Sequence, residues 1–198
     1  MLLIRLIRAL PVMALLVALA ACDAKDMSDP PHPMGSFRMN SVFIDATKAQ
    51  TVPLSRTAEA EDWKTVMTAA MTERFGSYSG DTPFDFGISV DGYVLAPPGV
   101  PVIASPRSAL IIRVHVYDSL KKEFLEEGGK RFTLIEGVSK DSVIGSGWTQ
   151  NKHAQMKKLA NNAAKAVQDY MLEHPEWLGL PLKQSPSPAH TNATVAPR

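Results

Sequence analysis

Apolar and polar residues alternate along the middle of the chain in the pattern that half-buried strands require. The longest alternation covers residues 108–118, and its apolar side carries Leu110, Ile112, Val114 and Val116. Residues 84–94 alternate in the same way. Their apolar side is predicted to carry Phe86, Ile88, Val90 and Val94, and their polar side Asp85, Ser89, Asp91 and Tyr93. Shorter strands are predicted at residues 39–45 and 131–135, with residues 122–124 starting a pairing before the Gly128-Gly129 turn.

Two segments show the three- and four-residue spacing of amphipathic helices. The first covers residues 57–76, and its apolar face carries Trp63, Val66, Met67, Ala70 and Met71. The second covers residues 150–173, and its apolar stripe carries Met156, Leu159, Ala160, Ala163, Val167 and Tyr170. The opposite side of this second helix carries Lys157, Lys158 and Lys165. Pro175 ends the helix, and Trp177 and Leu178 are expected to fold back on the core.

The predicted element order is therefore β-α-β-β-β-α. Two helices with one apolar stripe each, beside strands with one apolar face, predict a two-layer α+β sandwich. We expect a mostly antiparallel sheet of about four strands with both helices on one face. Antiparallel sheets tolerate one solvated face, which here would carry Arg113, His115 and Tyr117.

The N-terminus follows a different pattern. Arg5 and Arg8 precede an uncharged and almost wholly apolar run from Ala9 to Ala21. Its 13 residues would be roughly 20 Å long as a helix, whereas a bilayer core needs about 20 apolar residues. A positive end, a short apolar centre and small residues at the exit predict a secretory signal peptide over residues 1–21.

The exit from this run holds the only cysteine of the chain. Its residues Leu19-Ala20-Ala21-Cys22 resemble the lipobox of bacterial lipoproteins at all four positions. The resemblance implies cleavage before Cys22 and a diacylglycerol on the Cys22 sulfur, so that lipid attaches the protein to a membrane. An ordinary signal peptide with a chance cysteine, or an anchor helix rich in small residues, are the alternatives. Asp23 resembles the inner-membrane retention signal of enteric bacteria, but other bacteria sort differently, so both membranes stay open.

Composition divides the rest of the chain into a folded part and two polar ends. Residues 22–38 are rich in proline, which favours polyproline II, and predict an extended tether behind the lipid. All periodic apolar segments fall within residues 39–178, which predicts one domain. Residues 179–198 are polar and proline-rich, and predict a disordered tail.

Charge argues against one class of partner. Without residues 1–21 the chain has 19 basic and 20 acidic residues. A nucleic-acid-binding protein usually carries a basic excess or a basic patch, so nucleic acid is not an expected partner. The whole chain is 45% hydrophobic, which is enough apolar material for a core.

The lipobox, the proline-rich tether and the β-α-β-β-β-α order together resemble small proteobacterial lipoproteins, such as the auxiliary lipoproteins of envelope transport systems. Residues 144–152, with their Gly-Ser-Gly turn, and residues 161–165 are similar to the final turn and helix of several such families. The resemblance implies a cell-envelope protein that faces the periplasm and acts by binding, as an accessory of an envelope or transport complex.

Motifs that would support catalysis are incomplete. Gly145-Ser146-Gly147 would need a glycine at position 144 to form a nucleophile elbow, and that residue is Ile144. Gly128-Gly129-Lys130 precedes Arg131, not the serine or threonine of a phosphate loop. The five histidines show no ligand spacing, so neither a metal nor a cofactor is predicted. We therefore expect no enzyme, with a periplasmic hydrolase and a lipid-handling protein as alternatives.

Two groups of residues are candidates for binding. Arg113, His115 and Tyr117 would stand in a row on the solvated face, where an anion or a peptide carboxylate could dock. A plain solvated strand explains the same row. The second group, in a proline-stiffened apolar loop that would lose little entropy on binding, is Val100, Val102 and Ile103. A loop folded over the sheet edge is the alternative there.

Overall fold

The computed structural model describes residues 32–97, 108–136 and 151–181. Numbered along the chain, its elements are β1 (Phe37–Asp45), β2 (Gln50–Thr51), α1 (Ala60–Phe75), β3 (Thr82–Val94), β4 (Ala109–Asp118), β5 (Glu123–Phe124), β6 (Lys130–Ile135) and α2 (Lys152–Glu173). One short 3₁₀ helix, Pro175–Leu178, follows α2.

The described strands form one mixed sheet. Its order is β1-β3-β4-β5, with β2 also paired to β3 and β6 also paired to β4. The pairs β3–β4, β4–β5 and β4–β6 are antiparallel, whereas β1 and β2 run parallel to β3. Parallel neighbours need a crossover connection, and α1 lies in the connection between β1 and β3. The predicted α+β fold is confirmed, and two parallel pairs are added to its sheet.

Both helices begin at capped residues and bury the stripes that their spacing predicts. Glu59 and Asp62 form a capping box at the start of α1. The Asn151 side chain accepts a hydrogen bond from the Ala154 N–H at 2.7 Å at the start of α2. The large side chains of the shared core include Trp63, Met67, Met71, Met156, Leu159, Val167, Phe86, Ile88, Leu110 and Ile112. These buried side chains fill the space between the helices and the sheet.

Phe37 is the centre of an aromatic cluster at the start of β1. Its ring centroid lies 5.4 Å from that of Phe84, 5.6 Å from that of Phe75 and 5.6 Å from that of Tyr78. Phe37 is only 1% exposed, and Met34 before it is also buried. The packed chain therefore begins before residue 38, where the sequence pattern placed the end of the tether. Because the segment is rich in proline, the sequence pattern assigned these two apolar residues to the tether.

The two ends of the described chain meet beside this cluster. The Ser36 N–H donates to the Leu178 carbonyl at 3.1 Å. A Cβ on Gly35 would lie 2.2 Å from that same carbonyl oxygen, so only glycine permits the approach. Leu178 is buried, as predicted, whereas Trp177 stays half-exposed and stacks on His174 with 3.9 Å between ring centroids.

A hydrogen-bonded chain fastens the same end of the fold to α2. The buried Gln168 amide donates to the Tyr78 hydroxyl at 2.8 Å, and this hydroxyl donates to the His32 carbonyl at 2.8 Å. Burial raises the pKa of the Tyr78 hydroxyl, although its contact with Gln168 opposes the shift. Residue 32 is thus tied to the last helix.

A β-bulge reverses one predicted orientation in β3. Val90 pairs with Ile112 and Gly92 pairs with Ile111, so Asp91 is an extra residue between them. Residues beyond a bulge change faces. The prediction that Tyr93 lies on the polar side is therefore wrong, since Tyr93 is buried and its hydroxyl donates to the Ala58 carbonyl at 3.2 Å. Val94 correspondingly leaves the buried side and is half-exposed.

One of the three lysines predicted opposite the stripe of α2 contacts the sheet as well as solvent. Lys157 is exposed, as expected, and Lys165 pairs with Asp169 one helical turn away. The Lys158 Nζ instead lies 3.2 Å from a carboxylate oxygen of Glu136, the residue that follows β6. Lys158 therefore connects α2 to the sheet.

Two phenylalanines of β1 provide a matched test of this packing. We expect Phe37→Ala to lower the free energy of unfolding by about 3–5 kcal/mol, because it removes the centre of a buried aromatic cluster. Phe43→Ala should change it by less than about 0.5 kcal/mol, because Phe43 is 70% exposed. Urea unfolding at low protein concentration measures both. Equal losses for the two variants would contradict the role given to Phe37.

Candidate functional site

The candidate site is the face of the sheet that points away from α1 and α2, here called the open face. Along β4, residues at even positions are buried against the helices, and the alternate residues are half-exposed. Arg113, His115 and Tyr117 therefore lie in a row on the open face, as the alternation predicted. Their cross-strand neighbours on β3 are Ser89, Gly87 and Asp85, respectively.

Arg113 belongs to a small charged group at one end of this row. Its guanidinium lies 3.9 Å from the Asp91 carboxylate and donates to the Gly128 carbonyl at 3.2 Å. The guanidinium of Arg131, on β6, also lies 3.9 Å from Asp91. These separations are too long for direct hydrogen bonds, so both arginines keep donors for another group. Two cations share one carboxylate, which leaves this end of the row with one positive charge in excess.

His115 lies in the middle of the row beneath the connection between β5 and β6. A Cβ on Gly129, whose φ is +68°, would lie 2.7 Å from the His115 ring, so the backbone passes directly over the imidazole. The Phe124 ring approaches His115 edge-on, with 6.0 Å between centroids. One side of His115 is therefore covered by the Gly129 backbone.

Gly87 leaves a shallow gap in the open face. It pairs with Phe43 on β1 and with His115 on β4, so the gap lies between these two rings. Neighbouring strands are about 4.8 Å apart, so the backbones of Phe43 and His115 lie about 10 Å apart with Gly87 between them. A Cβ on Gly87 would meet only the His115 Cβ, at 3.9 Å, which is ordinary contact. We call this space the Gly87 gap.

Three large apolar side chains on the open face are exposed. Phe43 on β1 is 70% exposed, Phe124 on β5 is 59% exposed and Ile135 on β6 is 57% exposed. Phe124 also packs against Tyr117 with 5.2 Å between ring centroids. Sequence reasoning did not select these residues. Phe43 alternates with the core residues Val42 and Ile44, and that spacing is the signal that would have placed it on this face.

Asp85 forms a polar group at the other end of the row. Its carboxylate accepts hydrogen bonds from the Asn40 amide at 2.7 Å, from the Ser41 hydroxyl at 2.6 Å and from the Ser119 hydroxyl. Partial burial disfavours the charge of Asp85, but these donors outweigh it and hold the pKa of the carboxyl below its ordinary value. Three segments of chain thus meet at one ionised carboxylate.

The other predicted site residues, Cys22, Val100, Val102 and Ile103, lie outside the described residues. Their roles stay predictions. Among the residues that the structure describes, no three His, Cys, Asp or Glu side chains are grouped so that they could hold a metal ion. None of the described helices is both long and apolar enough to cross a membrane.

An open surface depression of about 610 Å³ lies along α1, away from the open face. Its lining residues are Glu61, Lys64, Thr65, Thr68, Ala69, Thr72 and Glu73. Lys64 and Glu61 pair with each other at 3.3 Å across one helical turn, and the other polar groups of the lining are mainly threonine hydroxyls.

Comparison with known proteins yields structural likeness only. No family model and no curated protein matches the chain. A Xanthomonas campestris protein of the family DUF330 matches with a TM-score of 0.49 and 9% identity, covering 78% of this chain and 95% of that chain.

Two further solved structures are similar at lower TM-scores. A putative lipoprotein from Caulobacter crescentus CB15 matches with a TM-score of 0.30 and 14% identity, covering 67% of this chain and 91% of that chain. A putative neuraminyllactose-binding hemagglutinin homolog from Helicobacter pylori matches with a TM-score of 0.33 and 8% identity, covering 79% of this chain and 96% of that chain. At these values the comparisons assign neither a family nor a function to the chain.

The charge on Asp85 is testable through pH. The pKa of Asp85 lies below 3.8 in the folded chain, so ionisation stabilises the fold above that pH, and the gain is lost as the pH falls through the lowered pKa. We expect Asp85→Asn to lower the free energy of unfolding by about 1 kcal/mol at pH 7, and the difference from wild type to shrink towards pH 3.

The matched control is Asp81→Asn, which removes an exposed carboxylate just before β3. Urea midpoints from pH 7 to pH 3 compare the three proteins, and the control should follow wild type throughout. A deficit of Asp85→Asn that is the same at both pH values would show that the charge of Asp85 is not its source.

Proposed function

We propose that the protein is a lipid-anchored component of the cell envelope that faces the periplasm and binds a partner protein through its open face. It would serve as an accessory of an envelope or transport complex and would carry out no chemistry of its own. The Gly87 gap, flanked by Phe43 and His115 on the face that neither helix covers, is the observation that carries the binding role.

The layout of the open face supports binding to a protein. Its centre is apolar, with the Gly87 gap and the exposed rings of Phe43 and Phe124. Polar groups lie on either side of the gap, at Asp85 in one direction and at Arg113 in the other. An apolar centre with a polar rim is the common anatomy of a protein interface. Regular strands hold these groups, so little entropy is lost when a partner docks.

The same layout suggests the chemistry of the partner. An apolar side chain of the partner would enter the Gly87 gap. A carboxylate of the partner would meet the free donors of Arg113 and Arg131, which already share Asp91. Arginine binds carboxylates well because its planar fork can donate two parallel hydrogen bonds. The open face therefore suits a segment that presents an apolar residue near an acidic one.

The anchor is proposed from the lipobox at Leu19-Ala20-Ala21-Cys22. A single acyl chain holds a protein only marginally, and two or more hold it stably, so a diacylglycerol on the Cys22 sulfur, which brings two chains, suffices. The described fold begins ten residues after Cys22. Ten residues of polyproline II would span roughly 30 Å, so the lipid would hold residue 32 within about that distance of the membrane surface.

Replacement of Cys22 tests the anchor. We expect Cys22→Ser to abolish incorporation of a labelled fatty acid, because serine cannot form the thioether that carries the diacylglycerol. Metabolic labelling of growing cells, with recovery of the protein on a C-terminal tag, measures the incorporation. Equal label on wild type and Cys22→Ser would contradict lipidation at this residue.

Filling the Gly87 gap tests the binding surface. We expect Gly87→Val to reduce recovery of the partner about tenfold or more, because the branched side chain occupies the space that the partner must enter. The fold should tolerate it, since a Cβ there makes only ordinary contact and valine suits a strand. The measurement is quantitative mass spectrometry after capture of the tagged protein from detergent-solubilised membranes.

Thr133→Val is the matched control for that capture. It adds a valine to the open face on β6, opposite Ile111 and outside the Gly87 gap. Recovery should then equal that of wild type. If Gly87→Val retained every protein that Thr133→Val retains, the partner would bind elsewhere and the proposed surface would be wrong.

A further inference from the structure

The first strand forms an edge of the described sheet. β1 is nine residues long and pairs on one side with β3, and the described residues place no strand on its other side. Exposed edges offer free N–H and C=O groups to another strand, and proteins commonly protect them with lysine, proline or short length. Phe37–Asp45 contains neither lysine nor proline. Its protective features are the bulge at Asn40 and the charged residues near its two ends, Arg38 and Asp45.

We propose that β1 pairs antiparallel with β1 of a second copy of this chain, about a two-fold axis at Val42. This pairing places Arg38 opposite Asp45 of the second copy, Met39 opposite Ile44, and Val42 opposite itself. The bulged pair Asn40 and Ser41 lies opposite Phe43 of the second copy. The inference adds a self-association surface to the proposed binding function and does not depend on the partner.

The bulge is what makes this pairing self-consistent. Side chains directly opposite each other in an antiparallel pair share one face of the sheet. Arg38 and Asp45 both lie on the open face, and Met39, Val42 and Ile44 all lie on the helix side, because the extra residue at Asn40 resets the alternation. With one bulge in each copy, every opposed pair matches in face. A strand without the bulge would place Arg38 and Asp45 on different faces of such a pair.

Charge also favours a second copy as the occupant. Arg38 is exposed at the start of β1, and Asp45 lies at its end. The Asp45 carboxylate accepts hydrogen bonds from the Thr47 hydroxyl at 2.7 Å and the Thr47 N–H at 2.9 Å, which lower its pKa and keep it ionised. The two-fold axis brings each arginine beside the aspartate of the other copy. A strand from a different protein would need this same charge order independently.

The pairing would also cover apolar surface. Phe43 is 70% exposed at this edge, and Met39 and Val42 are half-buried. The two-fold axis lies perpendicular to the sheet, so the helices of both copies stay on one side and the two open faces join. A lipid anchor would confine both copies to a membrane surface, where a raised effective concentration lets a modest interface form.

Disulfide formation in isolated membranes tests the pairing on the full-length protein. The chain has no cysteine other than Cys22, so an introduced cysteine reports one position. Directly opposed residues of an antiparallel pair have Cα atoms about 4.5–5.5 Å apart, within disulfide reach. We expect Val42→Cys to give a covalent dimer on mild oxidation. Lys157→Cys, on the exposed side of α2, should give none above random collision.

Charge variants in the Val42→Cys background identify the register. Arg38→Asp should reduce the covalent dimer about tenfold, because two opposite-charge contacts become two like-charge contacts. Arg38→Asp combined with Asp45→Arg should restore it to within about twofold of the parent, which a nonspecific loss of structure would not do. Equal dimer from Val42→Cys and Lys157→Cys would overturn the proposal. So would a dimer that Arg38→Asp leaves unchanged, or one that the double variant fails to restore.

Discussion

The packing of Phe37 determines how the rest of the sheet is arranged. Its ring contacts Phe84 on β3 and Phe75 at the end of α1, so one side chain joins the first strand to its neighbour and to the crossover helix. With α1 carrying the chain over the sheet, β1 must run parallel to β3. β1 then becomes an edge of the described sheet, and the surface opposite the helices is formed by side chains of the strands and by the Gly128-Gly129 turn over His115.

The chemistry of the open face is determined by the side chains at alternate positions of each strand. Gly87 contributes no side chain at the centre of the sheet, so the aromatic rings on either side determine the local surface. The polar groups are already organised: Asp85 is held by three donors, and Asp91 lies between two guanidinium groups. In the proposed function, these preorganised polar groups would form the polar rim around an apolar centre.

The hydrophobic periodicity correctly predicted features that depend on a single segment of chain. It did not predict features that depend on how two strands pair. Both helical stripes and the row of Arg113, His115 and Tyr117 follow from spacing within an element, and these assignments were correct. Tyr93 was placed on the wrong face because the bulge at Asp91 exists only in the register of β3 against β4. The Gly87 gap likewise depends on pairing between strands, so the sequence pattern did not reveal it.

The proline-rich composition of the segment before β1 led to the wrong prediction that the extended tether continues to residue 38. Three prolines among residues 30–33 favoured a tether, yet Met34 and Phe37 directly after them are buried. The tertiary contacts of these two residues, with α2 through Gln168 and with the aromatic cluster, outweigh the local preference for extended chain. Lys158 was misjudged in the same way, since its partner Glu136 is distant in sequence.

The contact between Ser36 and Leu178 means that the chain enters and leaves the fold at one place. Folds whose ends adjoin commonly tolerate circular permutation. A short linker from residue 181 back to residue 32 would close this chain into a ring, and the exposed turn at Pro53-Leu54 would offer a new opening away from the open face. The proposed lipid anchor would then be attached at a different corner of the same domain. The orientation of the open face relative to the membrane could then be changed while the residues that form this face stay the same.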